Sequence, residues 1–203
     1  MRLAETLPRA VTVNGRRYRL DLDFRRVFNM LAAMRRDDLI PAARVYTALR
    51  CVMRRPPRND ARCAAVFAAV CGVLFQDKGK KALDDGPKLT DFEQDADLIR
   101  AAFLQAYGIN LWHDKLHWLE FTALLGALPS GSRYADILGI RARPMPEATK
   151  YNAKEREQLA MAKAACALEM TDEERATSYA AGLRAMSESM RAYAMRAGET
   201  NAE

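Results

Sequence analysis

The residues best suited to chemistry lie in one stretch, TDFEQDADLIRAAFLQAYGINLW, which begins at Thr90 and sets Asp91, Glu93, Asp95 and Asp97 two residues apart. Alternating carboxylates suit a calcium loop, but that loop also needs glycine at its sixth position and a bidentate glutamate at its twelfth. Ala96 and Ala102 stand there. The pattern reads instead as helix punctuation. Thr90 and Glu93 have the form of a capping box, the hydroxyl taking the amide of residue 93 and the carboxylate returning to the amide of residue 90. Asp91, Glu93 and Asp95 then lie at the positive end of the helix dipole. Phe92, Ala96, Ile99, Phe103 and Tyr107 form one apolar stripe, which Gly108 ends.

His113, His117 and Glu120 follow at spacings of four and three. A zinc hydrolase would need glutamate where Asp114 stands, and a third ligand, so these residues read as surface or half-buried groups. Cys51, Cys63, Cys71 and Cys166 have no C-x-x-C spacing and lie in apolar helical text, the setting of reduced core thiols. No G-x-S-x-G, P-loop or G-x-G-x-x-G is present, and two histidines leave few ways to build a triad. No catalytic, cofactor or metal residue is assigned, and the chain reads as a non-enzyme.

The elements that would carry these residues are mostly α-helical. AVTVNGRRYRLDLDF alternates around Asn14-Gly15, the pair that tolerates a type I′ turn, and predicts strands near 9–13 and 16–20. From Asp23 the period changes, and Phe24, Val27, Phe28, Leu31 and Met34 predict a helix to about Arg36. Pro41 opens a second helix, and Asn59 or Asp60 caps an Ala-rich third. DKGKKALDDGPKLT, over 77–90, has little to bury and predicts a mobile surface loop. LWHDKLHWLEFTALLGALP carries apolar residues on two faces, so a helix over 111–128 is predicted as the centre of the core. Phe92, Phe103, Trp112, Trp118 and Phe121 are its expected anchors.

A short helix after Pro129, a Pro-bounded loop and the helix AKEREQLAMAKAACALEM follow. A last helix opens at a Thr171-x-x-Glu174 capping box. Tyr179, Leu183, Met186 and Met190 share its stripe, which either packs onto the chain's own domain or, since methionines make adaptable surfaces, meets a partner, with Tyr193 added to the candidate partner-binding residues. The expectation is a mostly α protein with an N-terminal hairpin and about seven helices. Residues 1–168 would form one domain, with 169–203 an added helix and polar tail.

Charge is divided along the chain. Residues 1–81 hold 18 Lys and Arg against 7 Asp and Glu, and residues 82–203 hold 14 against 19. Such a split suits head-to-tail self-association, an acidic protein partner or nucleic acid. No helix-turn-helix or stacking-aromatic pattern sharpens the nucleic-acid reading. A mean hydropathy of −0.28 and the lack of a long apolar run argue against a membrane span, and MRLAETLPRA does not read as a signal peptide.

VTVNGRRYRLDLDFR, DFEQDADLIRAAFLQAYGINL, LHWLEFTALLGALP and ILGIRA, in that order, resemble the bacteriophage gp-fifteen family of tailed phages over about residues 7–165. The second tryptophan of that family's LHWW block is Leu119 here. The resemblance implies a product of the tail module of long-tailed phages, encoded just before the tape-measure gene, where tail assembly chaperones lie. Implied partners are the tape-measure protein, the tail-tube protein and further copies of the chain, in the cytoplasm of the infected bacterium. It implies no catalytic residues and no cofactor. The alternatives carried beside it are a structural or tail-completion subunit of the virion and a basic nucleic-acid-binding module.

Overall fold

The computed structural model describes residues 5–75 and 88–169. The fold over these residues is mostly α-helical, with an N-terminal two-stranded hairpin and seven helices. Strands β1 (Ala10–Val13) and β2 (Arg16–Arg19) pair antiparallel, and Asn14 and Gly15 join them with positive φ values of 49° and 73°. Val11 lies opposite Tyr18, and both are buried.

Helix α1 (Phe24–Met34) starts where the Asp23 carboxylate accepts the Arg25 amide at 3.0 Å. Helix α2 (Pro41–Val52) carries proline in its first turn, and α3 (Asp60–Leu74) is capped by Asn59, which accepts the Arg62 amide. These helices pack as neighbours in sequence order, with β1 against α3. Their shared interior is wholly apolar: Val27, Met30, Leu49, Val52, Val66 and Val70 are completely shielded from water. Burying a side chain of this kind is worth about 1.5–3 kcal/mol.

Helix α4 spans Ala96–Tyr107, so the capping box expected at Thr90 does not form. The Thr90 hydroxyl bonds the Tyr134 hydroxyl at 3.1 Å instead. The Asp91 carboxylate does the local capping, accepting the amides of Glu93 and Gln94 at 2.8 and 3.0 Å. Residues 91–95 are therefore a hydrogen-bonded turn ahead of the helix. Phe92 leaves the predicted stripe with it and is 39% exposed, one edge packing on Phe28 and Phe121. Gly108 ends α4 at φ 67°, as its sequence position predicts.

The central helix is shorter than 111–128, because α5 spans only Trp118–Gly126. Asn110 and Asp114 form a local turn, with Asp114 accepting the Asn110 amide at 2.7 Å and Asn110 accepting the Trp112 amide at 3.0 Å. Short polar side chains that bond nearby amides compete with helix. The next residues are extended beside the start of α1: the Phe24 amide donates to the Leu116 carbonyl, and the Trp118 amide to the Leu22 carbonyl. With those backbone groups committed elsewhere, α5 begins at Trp118. Helices α6 (Arg133–Ala142), capped by Ser132, and α7 (Ala153–Ala165) complete the described chain.

Candidate partner surface

The carboxylates that could have done chemistry are engaged by the fold. Asp95, 1% exposed, meets Arg141 in a two-pronged ion pair, with Nη1 to Oδ2 at 2.8 Å and Nη2 to Oδ1 at 2.9 Å. The Asp91 amide donates to the same Oδ2 at 3.0 Å. The guanidinium also donates to the carbonyls of Leu89 and Cys166 at 2.9 and 2.6 Å, while Lys163 donates to the Arg141 carbonyl. Gln94 completes this joint, exchanging two hydrogen bonds with the backbone of Glu169 at 2.8 and 2.7 Å. The network ties the turn before α4, helix α6 and the end of α7 together.

Burial is the largest influence on Asp95 and pushes its carboxyl up. The Arg141 hydrogen bonds, the Asp91 amide and the Arg141 charge together outweigh it and hold the group below the ordinary carboxylate range. Asp91 is lowered to about 2, first by the Lys88 ammonium and then by the amides of Gln94 and Glu93. Neither carboxylate has the raised affinity for protons that a general acid at neutral pH requires.

His113, His117 and Glu120 do not share a helix face despite their spacing, since His113 precedes α5. His117 is instead the N-cap of α5: Nδ1 accepts the Leu119 amide at 3.1 Å, and Glu120 accepts the His117 amide at 3.1 Å. With Nδ1 accepting, the ring proton is on Nε2, which donates to the Pro8 carbonyl at 3.1 Å. The four cysteines are unpaired with one another, and burial raises Cys63 and Cys71 above the ordinary thiol range. No group of three potential metal ligands occurs among the described residues.

The aromatic anchors divide. Phe103, Trp118 and Phe121 are buried, and Phe121 lies between them, stacked on Phe24, Phe103 and Trp118 with ring centroids 5.0, 5.3 and 5.9 Å away. Trp112 corrects the core assignment: it is 64% exposed, with the Arg100 guanidinium 3.9 Å from its ring centroid. Arg25 fixes the turn beneath it, donating to the carbonyls of Leu111 and Asp114 at 2.9 and 2.8 Å. Neither partner of Arg25 has a local signal in the sequence. The Asn110 and Asp114 pair around Leu111, Trp112 and His113 is the one local clue that a turn replaces helix there.

Two surfaces face outward from this frame. The first is basic: Arg16, Arg17 and Arg19 on the hairpin, and Arg54, Arg55 and Arg58 after α2, are exposed and make no ion pair among the described residues. The Asp21 amide donates to the Val52 carbonyl at 2.8 Å, which brings the chain leaving α2 to the foot of the hairpin. The second is an open groove of about 740 Å³ beside the Asp95–Arg141 pair, with Leu98, Ile137 and Ile140 in its lining. The expected partner residues Tyr179, Leu183, Met186, Met190 and Tyr193, the Thr171 capping box and 77–87 of the expected loop lie outside the described residues.

These features define a hairpin-headed helical protein whose ionisable interior groups serve its architecture and whose hairpin arginines and Trp112 face solvent. The chain belongs to the family described as Bacteriophage Gp15 protein, whose model matches residues 3–168. It is thus a bacteriophage protein. Comparisons with curated proteins and with solved structures return no match. No helix among the described residues is long and apolar enough to cross a membrane.

Proposed function

We propose that this protein is a non-enzymatic tail assembly chaperone, which holds the tape-measure protein in the cytoplasm of the infected bacterium while tail-tube subunits assemble around it. Membership in the phage family supports the phage setting. The observation that carries the chaperone reading is the division of labour among the charged and aromatic groups. Asp95, His117 and Glu120 are spent on joints and caps, while Trp112 and the hairpin arginines face outward. Exposed tryptophan and arginine are the side chains that anchor protein interfaces. A holder needs such surfaces and no convergent ionisable site.

Co-expression with the tape-measure protein of the same tail module tests the reading. The expected result is a tape-measure protein kept soluble in complex with this chain; a tape-measure protein that precipitates as it does alone contradicts it. Mass spectrometry of purified virions separates the chaperone from a structural tail subunit, since the chaperone is absent from the particle. The exposed arginines, without an ion pair among the described residues, favour one second reading, a nucleic-acid-binding module. That reading predicts binding which weakens steeply with salt and on changing Arg16, Arg17 and Arg19 to alanine.

A further inference from the structure

From the hydrogen-bond register of the hairpin we propose that the free edge of β2 takes an extended, acidic segment of a partner protein as a third strand, its alternate carboxylates meeting Arg17 and Arg19. The proposal deepens the holding role and rests on that reading for the partner's identity alone. Peptides test it, so its failure leaves tape-measure binding untouched.

In an antiparallel pair, facing residues alternate between exchanging both backbone hydrogen bonds and exchanging none. Ala10 faces Arg19 and Val11 faces Tyr18, and one step beyond Ala10 and Arg19 the Leu20 amide donates to the Arg9 carbonyl at 2.8 Å. Arg9 with Leu20 is thus a bonded pair, as is Val11 with Tyr18, and the N–H and C=O groups of Arg17 and Arg19 point away from β1. They make no hydrogen bond to another backbone group among the described residues. Asp21 is next in the same alternation, and its amide donates to the Val52 carbonyl at 2.8 Å, where the chain leaves α2 with Met53 extended. The edge is therefore occupied at Asp21 and open at Arg17 and Arg19. Its open part offers alternating donors and acceptors, the pattern that an added peptide strand satisfies.

Charge selects which strand can add. Side chains alternate across a strand, so Arg17 and Arg19 share the face opposite the buried Tyr18, roughly 6.6 Å apart. Arg54 and Arg55 follow Val52 by two and three residues, and all four arginines are exposed without an ion pair among the described residues. The Asp21 carboxylate is held by Arg26 at 2.8 Å. Arginines so placed repel the same edge of a second copy, a protection that exposed strands commonly carry. A strand with carboxylates at every second position meets them favourably. Residues 1–76 hold fifteen arginines and no lysine, so every cation there has the planar fork that fits a carboxylate. Nucleic acid matches less well. A DNA backbone offers acceptors but no donors for the Arg17 and Arg19 carbonyls, and no large exposed aromatic lies in the hairpin or between α2 and α3 to stack a base.

Titration of the full chain with labelled ten-residue peptides tests the proposal, read by fluorescence anisotropy and by hydrogen exchange of single amides. A peptide alternating glutamate with threonine is expected to bind, less tightly as salt rises, and to slow exchange at Arg17 and Arg19, whose amides exchange freely in the chain alone. Lysine in place of glutamate is expected to abolish binding. N-methylation of alternate peptide amides keeps the charge but is expected to weaken binding at least about tenfold. Changing both Arg17→Ala and Arg19→Ala is expected to weaken it about threefold to thirtyfold. Arg17→Glu with Arg19→Glu, at the same exposed positions, is expected to reverse the preference and take the lysine peptide over the glutamate one. A glutamate peptide that does not bind, an N-methylated peptide or a double alanine variant that binds like the parent pair, or a charge-reversed chain that still prefers glutamate overturns the proposal. Arg17 and Arg19 amides already protected in the free chain overturn it in favour of the chain's own residues on that edge. A DNA duplex that binds more tightly than the glutamate peptide through the same arginines overturns it in favour of nucleic acid.

Discussion

Helices α1–α3 and helices α6–α7 are held by different physics. The first three, with the hairpin against them, share an interior without a single buried charge, and each contributes at least three buried residues. Helix α6 buries only Tyr134 and α7 only Leu159, and the Asp95–Arg141 network ties both to the start of α4. Apolar burial is diffuse and nearly independent of pH and salt. A buried ion pair is local, and it fails abruptly when one partner is lost. The comparison teaches that this fold has a robust block and a bolted attachment, with α5 packed on α1 and α4 packed on both α5 and α6 between them.

The largest effect expected is at the aromatic centre where α5 joins α1 of the block to α4. Phe121→Ala removes the ring stacked on Phe24, Phe103 and Trp118, and should cost about 3–5 kcal/mol in a denaturant titration, with all helices lost in one transition. Arg141→Ala strands the Asp95 charge and should cost about 3 kcal/mol or more. The difference lies in where the loss is felt: hydrogen exchange should rise in α6 and α7 first, with α1–α3 still protected. If both variants exchange uniformly, the two regions are one cooperative unit.

Acid sharpens the same contrast. Asp91 and Asp95 are both held below the ordinary carboxylate range, so the stability they supply is complete above about pH 4 and is lost as the pH falls through their folded values, about 2 for Asp91. Limited proteolysis between those limits should therefore cut around α6 and α7 before it reaches α1–α3.

Two smaller effects belong to the hairpin. The Tyr18 hydroxyl is buried with no hydrogen-bond partner among the described residues, so Tyr18→Phe should raise stability by up to about 1 kcal/mol, read as a higher melting temperature. Changing Arg16, Arg17 and Arg19 together to alanine should move stability by less than about 0.5 kcal/mol per site, because these side chains are exposed and make no ion pair among the described residues. A large loss there would show that the basic face belongs to the fold and is not reserved for a partner.

Legibility in the sequence follows the same division. The hairpin was readable because Asn14-Gly15 is a local signal, α1 because its apolar residues recur at three and four, and α2 and α3 because Pro41 and Asn59 mark their starts. The start of α4 was not, since the Thr90 hydroxyl is claimed by Tyr134, 44 residues away. Trp112 was assigned to the core by its type and spacing, but Arg25 and the Asn110–Asp114 turn hold its segment out of the helix. The Asp95–Arg141 pair joins residues 46 apart, and no periodicity announces it. Local rules thus recovered the apolar block, whereas the polar joints needed the fold.

Hydrogen exchange of the full chain at neutral pH, with and without Arg141→Ala, tests the central claim most directly. The account predicts that the parent opens α6 and α7 at lower free energy than α1–α3, and that Arg141→Ala widens this gap while the exchange of Val27, Leu49 and Val66 stays slow. Equal protection across both regions in the parent, or an Arg141→Ala variant that releases α1–α3 as readily as α6 and α7, would contradict it.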